Sequence, residues 1–141
     1  MDKYIYIHFQ YKEGTLGLTK KILVCVTQQK TCERLIKHAA SMKAEYGGEL
    51  HVIHVAKNEW NFLDNKREGE ALEYLFGISK SAGANLSVLK SDDIAESIAD
   101  YAKQNGINYI VMGQSPTDHK ENRFYNRLKH LLDEIEIEIV P

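Results

Sequence analysis

An α/β sandwich built on a mainly parallel sheet is the fold class this sequence predicts, and three observations carry that expectation. Short β-branched runs alternate with segments of helical periodicity from Lys21 to the end of the chain. The run Lys21-Ile-Leu-Val-Cys-Val26 is apolar without alternation, as expected of a strand covered on both faces. Glycines punctuate the pattern at Gly47-Gly48, Gly83, Gly106 and Gly113. At 141 residues, 43% of them hydrophobic, the chain makes one domain that buries roughly two thirds of its unfolded surface. Strands that alternate with helices imply right-handed connections.

In chain order, Tyr4-Ile-Tyr-Ile-His-Phe-Gln-Tyr11 alternates apolar and polar residues, so an extra strand is expected before a glycine-bearing loop, as a sheet edge or an arm to a partner. The strand at 21–26 leads through the polar turn Thr27–Thr31 into a helix. There Cys32, Leu35, Ile36, Ala39 and Ala40 share one face, Thr31 is the expected N-cap and Gly47-Gly48 the stop. Leu50–Val55 is the next strand. Asn58–Ala82 holds a loop and then a helix carrying Leu72, Leu75 and Phe76 inward. Leu86–Leu89 is a short strand. Asp93 with Glu96 resembles a capping box and opens a helix that turns Ile94, Ala95, Ile98, Ala99 and Ala102 inward. The strand 107–113 ends at Gly113. A polar loop, a helix over 122–132 with Phe124, Leu128, Leu131 and Leu132 on one face, and an alternating strand 134–140 complete the pattern. That last strand sets Glu134, Glu136 and Glu138 opposite Ile135, Ile137 and Ile139, so one of its faces should meet water or cations.

Charge and composition exclude several functions. With 18 basic and 20 acidic residues interspersed, the net charge of −2 is wrong for a dedicated nucleic-acid or anionic-membrane binder. No run of 18 apolar residues and no leader pattern is present, so a cytoplasmic protein without membrane insertion is expected. The two cysteines, Cys25 and Cys32, suggest neither a disulfide framework nor a zinc site.

No catalytic constellation emerges: the chain has no Gly-x-Ser-x-Gly elbow, Walker A loop or Gly-x-Gly-x-x-Gly fingerprint, and is not expected to be an enzyme. His51 and His54, three apart on one strand, point to opposite faces and cannot share a metal; each reads as a hydrogen-bonded structural histidine. Cys25 reads as a core residue. Cys32 lies near a helix N-terminus, where a thiol pKa can fall, but a structural role is preferred. Asp92 and Asp93 fit a cap better than acid–base work. Lys120, Arg123 and Arg127 follow the Gly113 loop at helical spacing, either as phosphate-neutralising groups or as a solvated face. Gly113-Gln114-Ser115, at the carboxyl end of a strand, is the first place to seek a ligand, because small residues there let backbone N–H groups approach a phosphate.

Five of these segments in this order, Lys21-Ile-Leu-Val-Cys-Val, Glu33-Arg-Leu-Ile, Leu50-His-Val-Ile-His-Val, Asp93-Ile-Ala-Glu-Ser-Ile-Ala and Tyr109-Ile-Val-Met-Gly, resemble the universal stress protein family. The likeness spans about 20–140 and is strongest to the stress-protein-like domain of Kdp-type potassium-sensing histidine kinases. It implies a three-layer sandwich on a five-stranded sheet of order 3-2-1-4-5. It divides the chain into an N-terminal strand and loop, 1–19, and a family domain, 20–141. It also implies a homodimer through the last strand and ATP or another adenine nucleotide held between strands 1 and 4.

The family's nucleotide signature, Gly-x2-Gly-x9-Gly-[Ser/Thr], maps its first glycine to Gly113, but Pro116, Asn126 and Arg127 occupy its remaining positions. The valine ending strand 2 is Val55, and Thr27 stands where the family has an aspartate. Pro116 has no N–H to offer a phosphate, so any site here is atypical. Thr27, Gln28, Val55, Gly113, Gln114, Ser115, Asn126 and Arg127 are its candidate members. The Ser-x-Ser and Phe-Thr-Ala-x-Tyr motifs of cyclic di-AMP receptors are replaced by Thr27-Gln28-Gln29 and Leu50–His54. The resemblance therefore implies a non-catalytic regulatory or sensory domain that signals to a protein partner. A ligand-free dimeric scaffold acting through protein contacts is the alternative.

Overall fold

The computed structural model describes residues 20–26, 29–56, 66–113 and 118–141. The expected N-terminal strand, Tyr4–Tyr11, lies outside them, as do Thr27, Gln28, Gln114, Ser115 and Pro116. Nine elements follow one another: β1 (Lys20–Cys25), α1 (Gln29–Tyr46), β2 (Gly48–Ala56), α2 (Lys66–Ser81), β3 (Asn85–Lys90), α3 (Ile94–Gln104), β4 (Tyr109–Gly113), α4 (Asp118–Leu131) and β5 (Glu136–Val140). The five strands form one sheet in the order β3-β2-β1-β4-β5, and each neighbouring pair is parallel.

The sheet separates two cores. On one face Ile22, Val24, Leu50, Val52 and Val111 pack against Cys32, Leu35, Ile36 and Ala39 of α1 and Leu75 of α2. On the other, Leu23, Cys25, Ile53, Val55, Ile110 and Met112 pack against Ile98, Ala99 and Ala102 of α3, Leu128 of α4 and Leu132 just after it. Successive residues of β1 thus feed opposite layers, which is why the run 21–26 lacks alternation. Fully burying each such Leu, Ile or Val contributes about 1.5–3 kcal/mol.

Local chemistry sets most of the boundaries. Gly47 (φ 78°) ends α1 in the left-handed conformation, its N–H donating to the Lys43 carbonyl at 2.7 Å. Asp93 is the N-cap of α3, its Oδ1 accepting the Glu96 N–H at 3.1 Å. The reciprocal half of the box is supplied by Ser91, whose Oγ accepts the Asp93 N–H at 3.0 Å.

Five expectations are corrected. Thr31 lies inside α1, which begins at Gln29, and so is not its N-cap. Phe76 is 57% exposed; the inward stripe of α2 runs through Leu75 and Ser79, flanked by Ile78, so Phe76 falls beyond its side. The fourth helix begins at Asp118, four residues before the expected Asn122. The fourth strand begins at Tyr109 and the last at Glu136, each two residues after its expected start.

On β5, Glu138 faces the α1 layer and is half-buried rather than open to water. Its Oε1 accepts the Tyr109 hydroxyl at 2.7 Å, and its Oε2 lies 3.1 Å from His38 Nε2 on α1. The Tyr109 hydrogen bond, opposed by burial and helped by His38, holds the Glu138 carboxyl below its ordinary value. A depressed carboxylate adds stability above its unfolded pKa, and that stability is lost as pH falls through the folded value. Tyr109→Phe should therefore cost about 1 kcal/mol at neutral pH. Urea unfolding should show this deficit constant above the unfolded carboxylate's pKa and shrinking as the pH falls through the lower folded value, where the carboxylate is protonated in both states. A deficit independent of pH would assign the loss to packing of the ring alone.

Candidate nucleotide site at the strand carboxyl ends

A crevice at the carboxyl edge of the sheet follows from the connections. The helix after β1 lies on one face and the helix after β4 on the other, so the chain diverges between these adjacent strands, the switch point where open α/β sheets hold ligands. The register places it. Cys25, the last residue of β1, is level with Ile53 and Met112, and Val26, still bonded to β2, reaches the level of Gly113, while β2 continues to Ala56. The chain thus leaves β1 between the ends of β2 and β4, about 10 Å apart.

Val55 and Gly113 stand on the two walls. Val55 is buried in the α3–α4 layer with Cys25 and Met112. Gly113 has a packing reason to be glycine: a Cβ there would meet Leu35 Cδ1 of α1 at 3.2 Å. Its missing side chain therefore points at the α1 layer, and the residue serves helix–sheet contact as well as any approach of a ligand. The floor is fixed by His54, whose place on a strand predicts only a hydrogen-bonded structural role. His54 Nδ1–H donates to the Val26 carbonyl at 2.8 Å, and Val26 N–H donates to Ile53 O at 3.0 Å, so β2 anchors the chain where it leaves β1. A histidine one residue before the end of a strand is the signal for this role, but sequence alone does not name its acceptor.

On the α4 side, Asn126 and Arg127 are both exposed. Arg127 Nη2 forms an ion pair with Asp93 Oδ2, tying α4 to the N-terminus of α3. Asp93, read from sequence as a cap, is thus also a partner of a candidate site residue. The structure brings Val55, Gly113 and the Arg127–Asp93 pair to the carboxyl side of the sheet. The candidate positions Thr27, Gln28, Gln114 and Ser115 lie outside the described residues, and of Lys120 only the helical backbone is described.

Neither cysteine is poised for chemistry. Burial pushes the Cys25 thiol up to about 12. Cys32, buried against the core, is also raised, by burial and by the adjacent Glu33, which outweigh its backbone hydrogen bonds. The lowered pKa its place near a helix N-terminus permitted is therefore not found. His51 and His54 lie on opposite faces, as their spacing requires, each hydrogen-bonded. No helix among the described residues is long and apolar enough to cross a membrane.

The comparisons agree with this geometry. A universal stress protein family protein from Burkholderia pseudomallei superposes with a TM-score of 0.62 at 18% identity, covering 89% of this chain and 98% of its own. The universal stress protein of Archaeoglobus fulgidus, solved in complex with dAMP, does so with a TM-score of 0.62 at 18% identity, covering 88% and 99%. A universal stress protein solved in complex with cAMP gives 0.61 at 13%, covering 86% and 96%. At these identities the likeness establishes the fold. No curated protein sequence matches the chain. The model of the universal stress protein family matches residues 19–127, more than half of the chain, and with the sheet order and the crevice in place the chain belongs to that family.

Proposed function

We propose that this chain is a non-catalytic regulatory or sensory domain that binds an adenine nucleotide at an atypical form of the family site. The switch point where the chain leaves β1 carries the reading: Val55 and Gly113 flank it at the ends of β2 and β4, and Arg127 on α4 supplies positive charge on the same side of the sheet. Similar folds bind dAMP and cAMP. In this reading Val55 supports the base, while Thr27, Gln28, Gln114, Ser115, Asn126 and Arg127 supply polar contacts that glycine-rich backbone gives elsewhere. The protein works in the cytoplasm as a homodimer, a domain of the kind that Kdp-type sensor kinases carry, and signals to a protein partner. Residues 1–19 supply an extra strand and loop, as a sheet edge or an arm, before the family domain, 20–141.

The β5 edge suits the dimer, because Glu138 is drawn to Tyr109 and His38 and does not crowd a second copy. The alternative, a ligand-free dimeric scaffold, is supported by the capture of Arg127 by Asp93. Native mass spectrometry with and without ATP separates the two. The nucleotide reading expects a dimer carrying one ATP per chain, with the retained mass reduced in a Gln114→Ala, Ser115→Ala variant. A dimer that ignores ATP favours the scaffold, and a monomer removes the dimer from both readings. Gly113→Val is unsuitable as a test, because its branched side chain would press on Leu35 whether or not a ligand binds.

A further inference from the structure

The Arg127–Asp93 pair sits where two demands on one guanidinium meet. Asp93 divides its carboxylate between two tasks: Oδ1 caps α3 through the Glu96 N–H, and Oδ2 pairs with Arg127. Both side chains are about half exposed, at 42% for Asp93 and 50% for Arg127, so the pair is open to exchange with solvent anions. The two residues come from the two helices that cover one face of the sheet, and α3 opens at its carboxyl edge. Exposed ion pairs are weak, whereas a phosphate offers a guanidinium charge-assisted, two-pronged hydrogen bonds.

We infer that Asp93 is an internal competitor for Arg127, so that a nucleotide's phosphates bind by displacing the Asp93 carboxylate, which sets affinity according to phosphate content. This rests on the nucleotide reading above. Binding of a phosphorylated ligand releases α4 from α3 at this point, and adenosine, having no phosphate, leaves the pair closed. Asp93 is thus a specificity-determining residue that need not touch the ligand.

The capping geometry supplies a clean variant. Asn caps a helix as well as Asp does, so Asp93→Asn keeps the Oδ1 acceptor for Glu96 N–H and removes the charge that holds Arg127. The experiment is isothermal titration of the full chain with ATP and, separately, with adenosine. It uses the wild type, Asp93→Asn, Arg127→Gln and the double variant. Asp93→Asn should tighten ATP about two- to five-fold, the scale of an exposed ion pair, and leave adenosine unchanged. Arg127→Gln should weaken ATP about tenfold, the scale of a charged hydrogen bond, and the double variant should match it. The inference is overturned if the wild type binds ATP and Asp93→Asn does not alter its affinity. It is also overturned if ATP and adenosine tighten equally, which would report loosened helix packing. If no variant binds either ligand, the nucleotide reading itself fails and the competitor role falls with it.

Discussion

Gly48→Ala should destabilise the fold by about 3 kcal/mol, far more than Gly47→Ala beside it, which should cost about 1 kcal/mol. Both glycines have positive φ, 78° at Gly47 and 103° at Gly48. Their surroundings differ. A Cβ on Gly47 meets nothing within 4 Å, and its backbone lies near the left-handed region that L residues enter at modest cost. A Cβ on Gly48 would sit 1.8 Å from the Lys20 carbonyl oxygen and 2.8 Å from its carbon. That oxygen is backbone and cannot rotate away, because Lys20 and Gly48 are the first register pair of the β1–β2 ladder. Relief requires the start of β1 to part from β2, next to the core residues Ile22 and Leu50. Urea unfolding gives both free energies, and the Gly48 variant should melt about 10 °C lower than wild type. Equal losses for the two variants would show that backbone conformation alone decides the cost and that the ladder yields.

That pair of glycines also shows what the sequence made legible and what it withheld. Two glycines after an amphipathic run announce a helix stop, and the stop is there. Which of them a side chain would ruin depends on a strand 28 positions earlier in the chain, and no local pattern carries that. The same division holds elsewhere. The strands, the helix faces and the cap at Asp93 follow from local periodicity and local hydrogen bonding, and were readable. The outward direction of Phe76 was not, because an i, i+3, i+4 pattern admits a stripe centred on either side of Leu75; the neighbour α1 chooses. At the crevice, Gly113 was legible as a small residue at a strand end, but its contact with Leu35 joins residues far apart in sequence. Arg127 was legible as a cation, whereas its partner comes from another helix. His54 was legible as a bonded histidine, whereas its role in fixing the exit of β1 was not.

Tyr101→Phe should cost about 2 kcal/mol, although it removes a single oxygen atom, because of what it leaves behind. His51 is buried on β2 in the α3–α4 layer, at 5% exposure. Its Nδ1 lies 2.8 Å from the Tyr101 hydroxyl of α3, and its Nε2 lies 3.1 Å from Glu49 Oε1. Ser87 of β3 donates to the same tyrosine oxygen at 3.4 Å. With a neutral imidazole, the acceptor-only Glu49 carboxylate requires Nε2–H to donate to it, which leaves Nδ1 to accept from the tyrosine and the tyrosine to accept from the serine. Without the tyrosine hydroxyl, the Nδ1 lone pair is stranded where water does not reach, and the desolvation cost falls in full. His51→Leu costs less at its polar end, since Glu49 is half-exposed and takes water instead, while Tyr101 keeps Ser87. The double variant, with an apolar pair in place of both partners, should be more stable than the sum of the single losses by about 1 kcal/mol or more. A double-mutant cycle by urea unfolding measures that coupling. Strict additivity would mean that the 2.8 Å contact contributes nothing and that the cost lies in packing against α3.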